Sequence, residues 1–270
     1  MRNLIVGGII VLLIAIGLIF FLTSQGEDME YEKVPLKTFS DLTQEQLRKV
    51  AEKRIYFGHQ SVGQGMIKGL EEMCAAHDTL NLTIVETSDL QEHEGPVFAH
   101  SRVGRNAAPN SKVDDFVTFM GSGLKDRVDI AFFKYCYADI TRNTNIRAMF
   151  TYYRDAMKKL KVQYPEVTFI HFTVPYYRKS GGIKGLFKRF MNRDHNVKRE
   201  EFTNLMRLEY GPEELFDLAK FESTYPDGTR ERGDKSLFAL VPGYTDDGGH
   251  LNARGREVIV VQWLDFLSSL

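Results

Sequence analysis

The chain has 270 residues, of which 43% are hydrophobic and 26% charged, with a net charge of -1. That balance excludes a disordered, collagenous or coiled-coil chain, and the lack of a basic excess argues against nucleic acid as a partner. Two cysteines, Cys74 and Cys136, are too few for a disulfide framework or a cysteine-based zinc site, and whether they pair with each other is left open.

Leu4 to Leu22 is uncharged and almost wholly apolar. At about 1.5 Å per residue such a run just spans a hydrocarbon core of about 30 Å. Arg2 precedes it and Glu27, Asp28 and Glu30 follow, so the N-terminus is expected in the cytoplasm and the rest of the chain outside it. A cleaved signal peptide is the alternative, but no small-x-small site follows the run. The expected organisation is an anchor over 1–26, a polar tether over 27–42 and one α/β domain over 43–270, the localisation being single-pass membrane with the domain extracytoplasmic.

Thr43 with Gln46 three residues on reads as a capping box opening a helix to about Lys53. Arg54–Phe57 reads as a strand and Ser61–Ala76 as a helix. Leu80–Val85 is strand-like, and Glu86–Ser111, rich in glycine, asparagine and charge, reads as a long loop. A modest helix over Lys112–Met120, an apolar strand over Val128–Phe133 and a long helix over Ile146–Val162 follow. Val167–Val174 is a further strand, Arg199–Phe221 a helix broken near Gly211 and Pro212, Leu237–Val241 a last strand and Ala253–Leu267 a closing helix. Apolar strands alternating with helices predict a doubly wound, mostly parallel sheet covered on both faces. Ligands bind such sheets beyond the carboxyl ends of the strands, which singles out the loops there.

Ser61 lies between a strand and a helix, flanked by Gly58 and Gly63. A nucleophilic serine suits that place, because the helix start offers free N–H groups and partial positive charge to an oxyanion. A plain N-cap is the structural alternative. Asp247 and His250, separated by two glycines just before the last helix, can supply the base a serine needs and the carboxylate that orients it. Asp246 is the second choice for that carboxylate.

An early strand-serine-helix and a late Asp-x-x-His together resemble the SGNH/GDSL hydrolase superfamily, from about Arg54 to Leu270. Phe57-Gly58-His59-Gln60-Ser61-Val62-Gly63 is similar to a divergent branch in which Gly-His-Gln-Ser replaces Gly-Asp-Ser. The resemblance implies a flavodoxin-like fold, Ser61 as nucleophile, His250 as base and Asp247 as its partner. It also implies an oxyanion hole built from two middle blocks. Gly104 and Asn106 fit the first of these, while Lys134 to Asp139 has no asparagine at the second. The side-chain donor then falls to Asn106 or Lys134, with Gln60 beside the nucleophile as a further substrate-binding candidate. Lys134 is otherwise a snorkelling strand end and Asp139 a helix N-cap.

No metal-ligand spacing is present around His59 and His250, and no cofactor is implied. The expected activity is cleavage or transfer of an O-acyl group on a cell-envelope glycan, the alternatives being a lipid ester or a degenerate binding module. Arg178–Arg199 is dense in lysine and arginine, and Ile183, Leu186, Phe187, Phe190 and Met191 recur in it at helical spacing. Such a segment either contacts an anionic surface or packs on the domain.

Overall fold

The computed structural model describes residues 33–178, 195–233 and 237–270. The expected anchor, the first residues of the tether and the amphipathic stretch Ile183–Met191 lie outside the described residues. Among the described residues no helix is long and apolar enough to cross a membrane.

The elements, in order, are α1 (Gln44–Ala51), β1 (Arg54–His59), α2 (Ser61–Ala76), β2 (Ile84–Glu86), β3 (Val97–Arg102), α3 (Pro109–Met120), β4 (Ile130–Phe133), α4 (Ile146–Gln163), β5 (Thr168–Phe169), β6 (His171–Phe172), α5 (His195–Glu209), β7 (Leu215–Phe216), α6 (Leu218–Glu222) and α7 (Ala253–Ser268). The capping box is formed as read: the Gln46 N–H donates to Thr43 Oγ1 at 3.2 Å and the Thr43 N–H to Gln46 Oε1 at 2.9 Å.

Five strands form one parallel sheet in the order β2-β3-β1-β4-β5, with β6 and β7 paired in parallel beside Ile170. Leaving out edge strand β2, this is the flavodoxin-like order. The chain steps from β1 to β3 on one side, then returns to β4 on the other. The crevice of such a sheet opens at that reversal, between the loops that follow β1 and β4.

Alternation along the strands sorts the core into two layers. On one face Trp263 of α7 meets Phe57 at 5.1 Å, Phe98 at 5.3 Å and Phe132 at 5.9 Å between ring centroids. On the other, Tyr56 of β1 and Phe133 of β4 pack against Phe116 of α3 and Tyr153 of α4. Burying each of these large side chains contributes about 2–3 kcal/mol, which is what holds helices to both faces.

Several expectations are corrected. Glu86–Ser111 is not one loop, because Val97–Arg102 inside it pairs along the whole of β1. The strand expected over Leu80–Val85 is confined to Ile84–Glu86, and Val167–Val174 divides at Ile170 into β5 and β6. The broken helix over Arg199–Phe221 is α5, then β7, then α6. Leu237–Val241 joins no sheet: the Ala239 N–H donates to Glu231 O and the Val241 N–H to Glu222 O, so these groups are satisfied by a loop and by the end of α6. The described part of the tether is docked, with Val34 and Leu42 buried and the Lys37 N–H donating to Gln262 Oε1 at 3.0 Å. Both cysteines are free thiols.

Candidate active site

Ser61 is exposed and is the first residue of α2. The first bond of the helix ladder runs from the Gln64 N–H to Gln60 O at 3.0 Å. The N–H groups of Ser61, Val62 and Gly63 therefore have no acceptor within the helix, which leaves a cluster of donors at the hydroxyl. Gly63 is needed for this close seating, since a Cβ there would fall 2.3 Å from His59 Cβ.

Asp247 and His250 are brought together as expected. His250 Nδ1 lies 2.5 Å from Asp247 Oδ2. A carboxylate only accepts, so Nδ1 carries the hydrogen and Nε2 keeps its lone pair. Asp247 Oδ1 also accepts from the N–H groups of Gly249 and His250, each at 2.8 Å. Burial opposes ionisation of Asp247, but these bonds outweigh it and hold the carboxyl far below the usual carboxylate range. Asp246 instead accepts from Asn252 Nδ2 at 3.2 Å, so the second choice for the orienting acid falls away. Gly248 makes the loop feasible: its φ is +92°, and an added Cβ would lie 2.0 Å from Arg178 O.

This loop stands at the carboxyl edge of the sheet. The Lys134 N–H, at the end of β4, donates to Gly58 O of β1 at 3.2 Å. Three residues on, the Tyr137 ring meets His250 edge-on at 6.0 Å between centroids. Among the described residues Ser61 Oγ makes no hydrogen bond, His250 included; Ser61 follows β1, and His250 meets a ring from the segment that follows β4.

His59 has surroundings unlike those of His250. It is fully buried. Its Nδ1 lies 3.2 Å from Gln60 O and its Nε2 3.0 Å from His100 Nδ1. The carbonyl accepts, so His59 Nδ1 carries the hydrogen and Nε2 accepts from His100. Burial first, and then the neighbouring His100, push the His59 pKa down to about 3, and burial lowers that of His100 too. Among the described residues no cluster of ligand side chains suited to a metal is found.

Of the four oxyanion and substrate candidates, three are otherwise engaged. Gln60 Nε2 donates to Val103 O at 3.0 Å and Gly104 O at 2.8 Å, clipping the turn before Ser61 to the loop after β3. The Gly104 N–H donates to Asp115 Oδ2 at 2.7 Å. Lys134 does not snorkel: it is 1% exposed, its ammonium donates to Tyr135 O at 3.2 Å, and burial lowers its pKa. Asn106 remains. It is exposed, its Oδ1 accepts from Lys112 Nζ at 3.0 Å, and its Nδ2 is without a partner among the described residues.

Sequence reasoning missed the charged layer below. Lys112 and Asp139 are both wholly buried and meet at 2.5 Å. Arg199 is buried beside them, donating from Nε to Tyr137 O at 2.9 Å, and burial lowers its pKa to about 10. Glu222 is buried too and accepts from the Tyr176 N–H; burial raises its pKa to about 8. Lys112 left a readable signal, because it falls on the apolar stripe with Val113, Phe116 and Met120. A groove of about 980 Å³ between α3 and α4, bordered by Val117, Tyr152 and Lys159, contains none of the candidate residues.

No family model matches this chain, and no curated protein matches it. Among solved structures it is similar to a GDSL-like lipase from Bacteroides thetaiotaomicron, at 12% identity and a TM-score of 0.47, over 84% of this chain and 90% of that one. It is also similar to an acetylxylan esterase from Geobacillus stearothermophilus, at 12% identity and a TM-score of 0.45, over 81% and 96%. An acetyl xylan esterase matches at 14% identity and a TM-score of 0.45, over 78% and 97%. Likenesses this distant leave the roles of the residues to be argued from the geometry of this chain.

Proposed function

We propose that the chain is an SGNH-like serine ester hydrolase, with Ser61 as nucleophile, His250 as base and Asp247 as the acid that orients it. The observation that carries this reading is the Asp247–His250 pair at 2.5 Å, which keeps His250 Nε2 free to take a proton at the edge where Ser61 begins a helix. Ser61 Oγ attacks the ester carbonyl carbon while its proton passes to His250 Nε2. The tetrahedral oxyanion collapses, the alkoxide leaves with the proton from His250, and Ser61 holds the acyl group. Water then attacks that ester, His250 takes its proton and returns it to Ser61 Oγ. An acceptor hydroxyl in place of water gives acyl transfer by the same steps.

The substrate class that suits this site is an O-acyl group on a bulky carrier. Ser61 is exposed and the His250 side chain is 44% exposed, so the edge is open to a leaving group that stays outside. With Leu4–Leu22 as an anchor, a cell-envelope glycan is the fitting carrier. The lipid-ester alternative rests on a segment outside the described residues.

Fluorophosphonate labelling tests the reading. Wild-type protein is expected to label and Ser61→Ala to remain unlabelled. Folded wild-type protein that neither labels nor hydrolyses p-nitrophenyl acetate would overturn the enzyme reading.

A further inference from the structure

Beneath the open edge lies an ion pair that no step of the reaction above uses. Lys112 and Asp139 are wholly shielded from solvent and meet at 2.5 Å. Isolated buried charges of this kind are costly, and a salt bridge repays that cost only when the remaining valences are satisfied. Here the partners come from two loops. Asp139 Oδ1 accepts from the Ala107 N–H at 3.0 Å, and Lys112 Nζ donates to Asn106 Oδ1 at 3.0 Å. Asp139 Oδ2 also accepts from the Cys136 N–H at 2.7 Å. The pair thus joins the loop after β3 to the loop after β4, across the reversal point of the sheet.

The loop is held in a costly shape. Ala107 has φ of +64°, a region that residues with a Cβ seldom enter, and the Asp139 bond to its N–H retains it there. Strain of this kind persists only where the surroundings over-determine it, and it gathers at functional sites. The residue it presents is Asn106. An ammonium can only donate, so it must take the amide oxygen. Lys112 therefore sets which way the Asn106 amide faces: oxygen inward to the cation, Nδ2 outward. The cation also draws density from the amide and strengthens the outward N–H as a donor. The same loop is clipped to the nucleophile turn by Gln60, through Val103 O and Gly104 O.

We infer that Asn106 Nδ2 is the side-chain oxyanion donor of this hydrolase and that Lys112 is its positioning residue, acting from below through the amide oxygen. The inference rests on the serine-hydrolase reading. It replaces an asparagine after β4, where this chain has Lys134 to Asp139, with one on the loop after β3.

The test is p-nitrophenyl acetate hydrolysis by four variants, each checked for thermal unfolding. Asn106→Asp keeps the shape and an oxygen for Lys112 but removes the donor. It is expected to lower kcat by about 10²–10³-fold with little change in KM, while remaining folded. Lys112→Met is expected to lower kcat in the wild-type background. In an Asn106→Ala background it should cost less than about threefold more, because a residue acting through Asn106 has nothing left to position. If Lys112→Met fails to fold, Asn106→Asp and Asn106→Ala still decide the donor. Active wild type together with full kcat in Asn106→Asp overturns the inference and leaves the hydrolase reading standing. Equal losses on Lys112→Met in both backgrounds mean a merely structural lysine and overturn its positioning role. Wild type without activity or labelling removes the reading and the inference together.

Discussion

His59 closes β1 and His250 stands in the loop before α7 at the same edge of the sheet, and their surroundings are opposite in kind. His59 is fully buried, hydrogen-bonded to another histidine, and so strongly desolvated that its pKa falls to about 3. His250 is open to solvent and backed by an ionised carboxylate at 2.5 Å. Proximity in sequence points the other way, since His59 is two residues from Ser61, the proposed nucleophile, and His250 nearly the whole domain away. A base is made by its surroundings, a free nitrogen and a carboxylate behind the ring, and His59 has neither.

The comparison breaks most visibly at His250. His250→Gln is expected to lower kcat by about 10⁴-fold with no loss of thermal stability, measured on p-nitrophenyl acetate. His59→Leu should leave the pH profile of kcat where it is. Should the profile move with His59, the assignment of roles is reversed.

Asp247→Asn sharpens the contrast by removing charge without volume. A loss of about 10³-fold in kcat is expected, since an amide can reverse the tautomer of His250. A change of less than about threefold would mean that the pair holds the loop and takes no part in the chemistry.

Next comes Gly248→Ala. With φ at +92° and a Cβ directed at Arg178 O, the substitution should cost about 3 kcal/mol in chemical denaturation. It should also lower kcat by displacing His250. An unchanged midpoint would show that the loop has room to relax.

The smallest effect is a slope. His59 and His100 have pKa values depressed in the folded state. As pH falls below about 6.5 the unfolded chain takes up protons that the folded chain refuses, so stability declines with falling pH. Each histidine contributes at most about 1.4 kcal/mol per pH unit, down to its folded pKa. The double variant His59→Leu/His100→Leu should therefore lose less stability than wild type between pH 6.5 and pH 4.5. Parallel curves would show that the pair is not held neutral.

The parts legible in the sequence were those with local causes. The capping box at Thr43 and the extent of the helix from Ser61 follow from neighbours a few residues apart. Asp247 and His250 are within one turn, so their meeting is local too. β3 was hidden because it contains His100 and Ser101, which look like loop residues until His59 and Tyr56 bond them across the sheet. Leu237–Val241 deceived in the other direction: it is apolar and buried for the most part, yet the Ala239 and Val241 N–H groups are taken by the Glu231 and Glu222 carbonyls and that of Leu237 by the Glu200 carboxylate. The Lys112–Asp139 pair joins positions whose partnership exists only once β3 and β4 flank β1. The exclusion of Gln60, Gly104 and Lys134 as donors is likewise a matter of who else bonds them.

The seating of Trp263 against rings from three strands has a consequence for the order of events during folding. Its partners arise early in the chain and it arrives on α7, so closing this aromatic layer means closing a loop of nearly the whole domain. Contacts of such long range form slowly and come late. His250 travels with α7, only a few residues ahead of it. The Asp247–His250 loop therefore takes its place beside β1 and β4 in the same step that completes the core, and an intermediate without docked α7 lacks the pair at that edge.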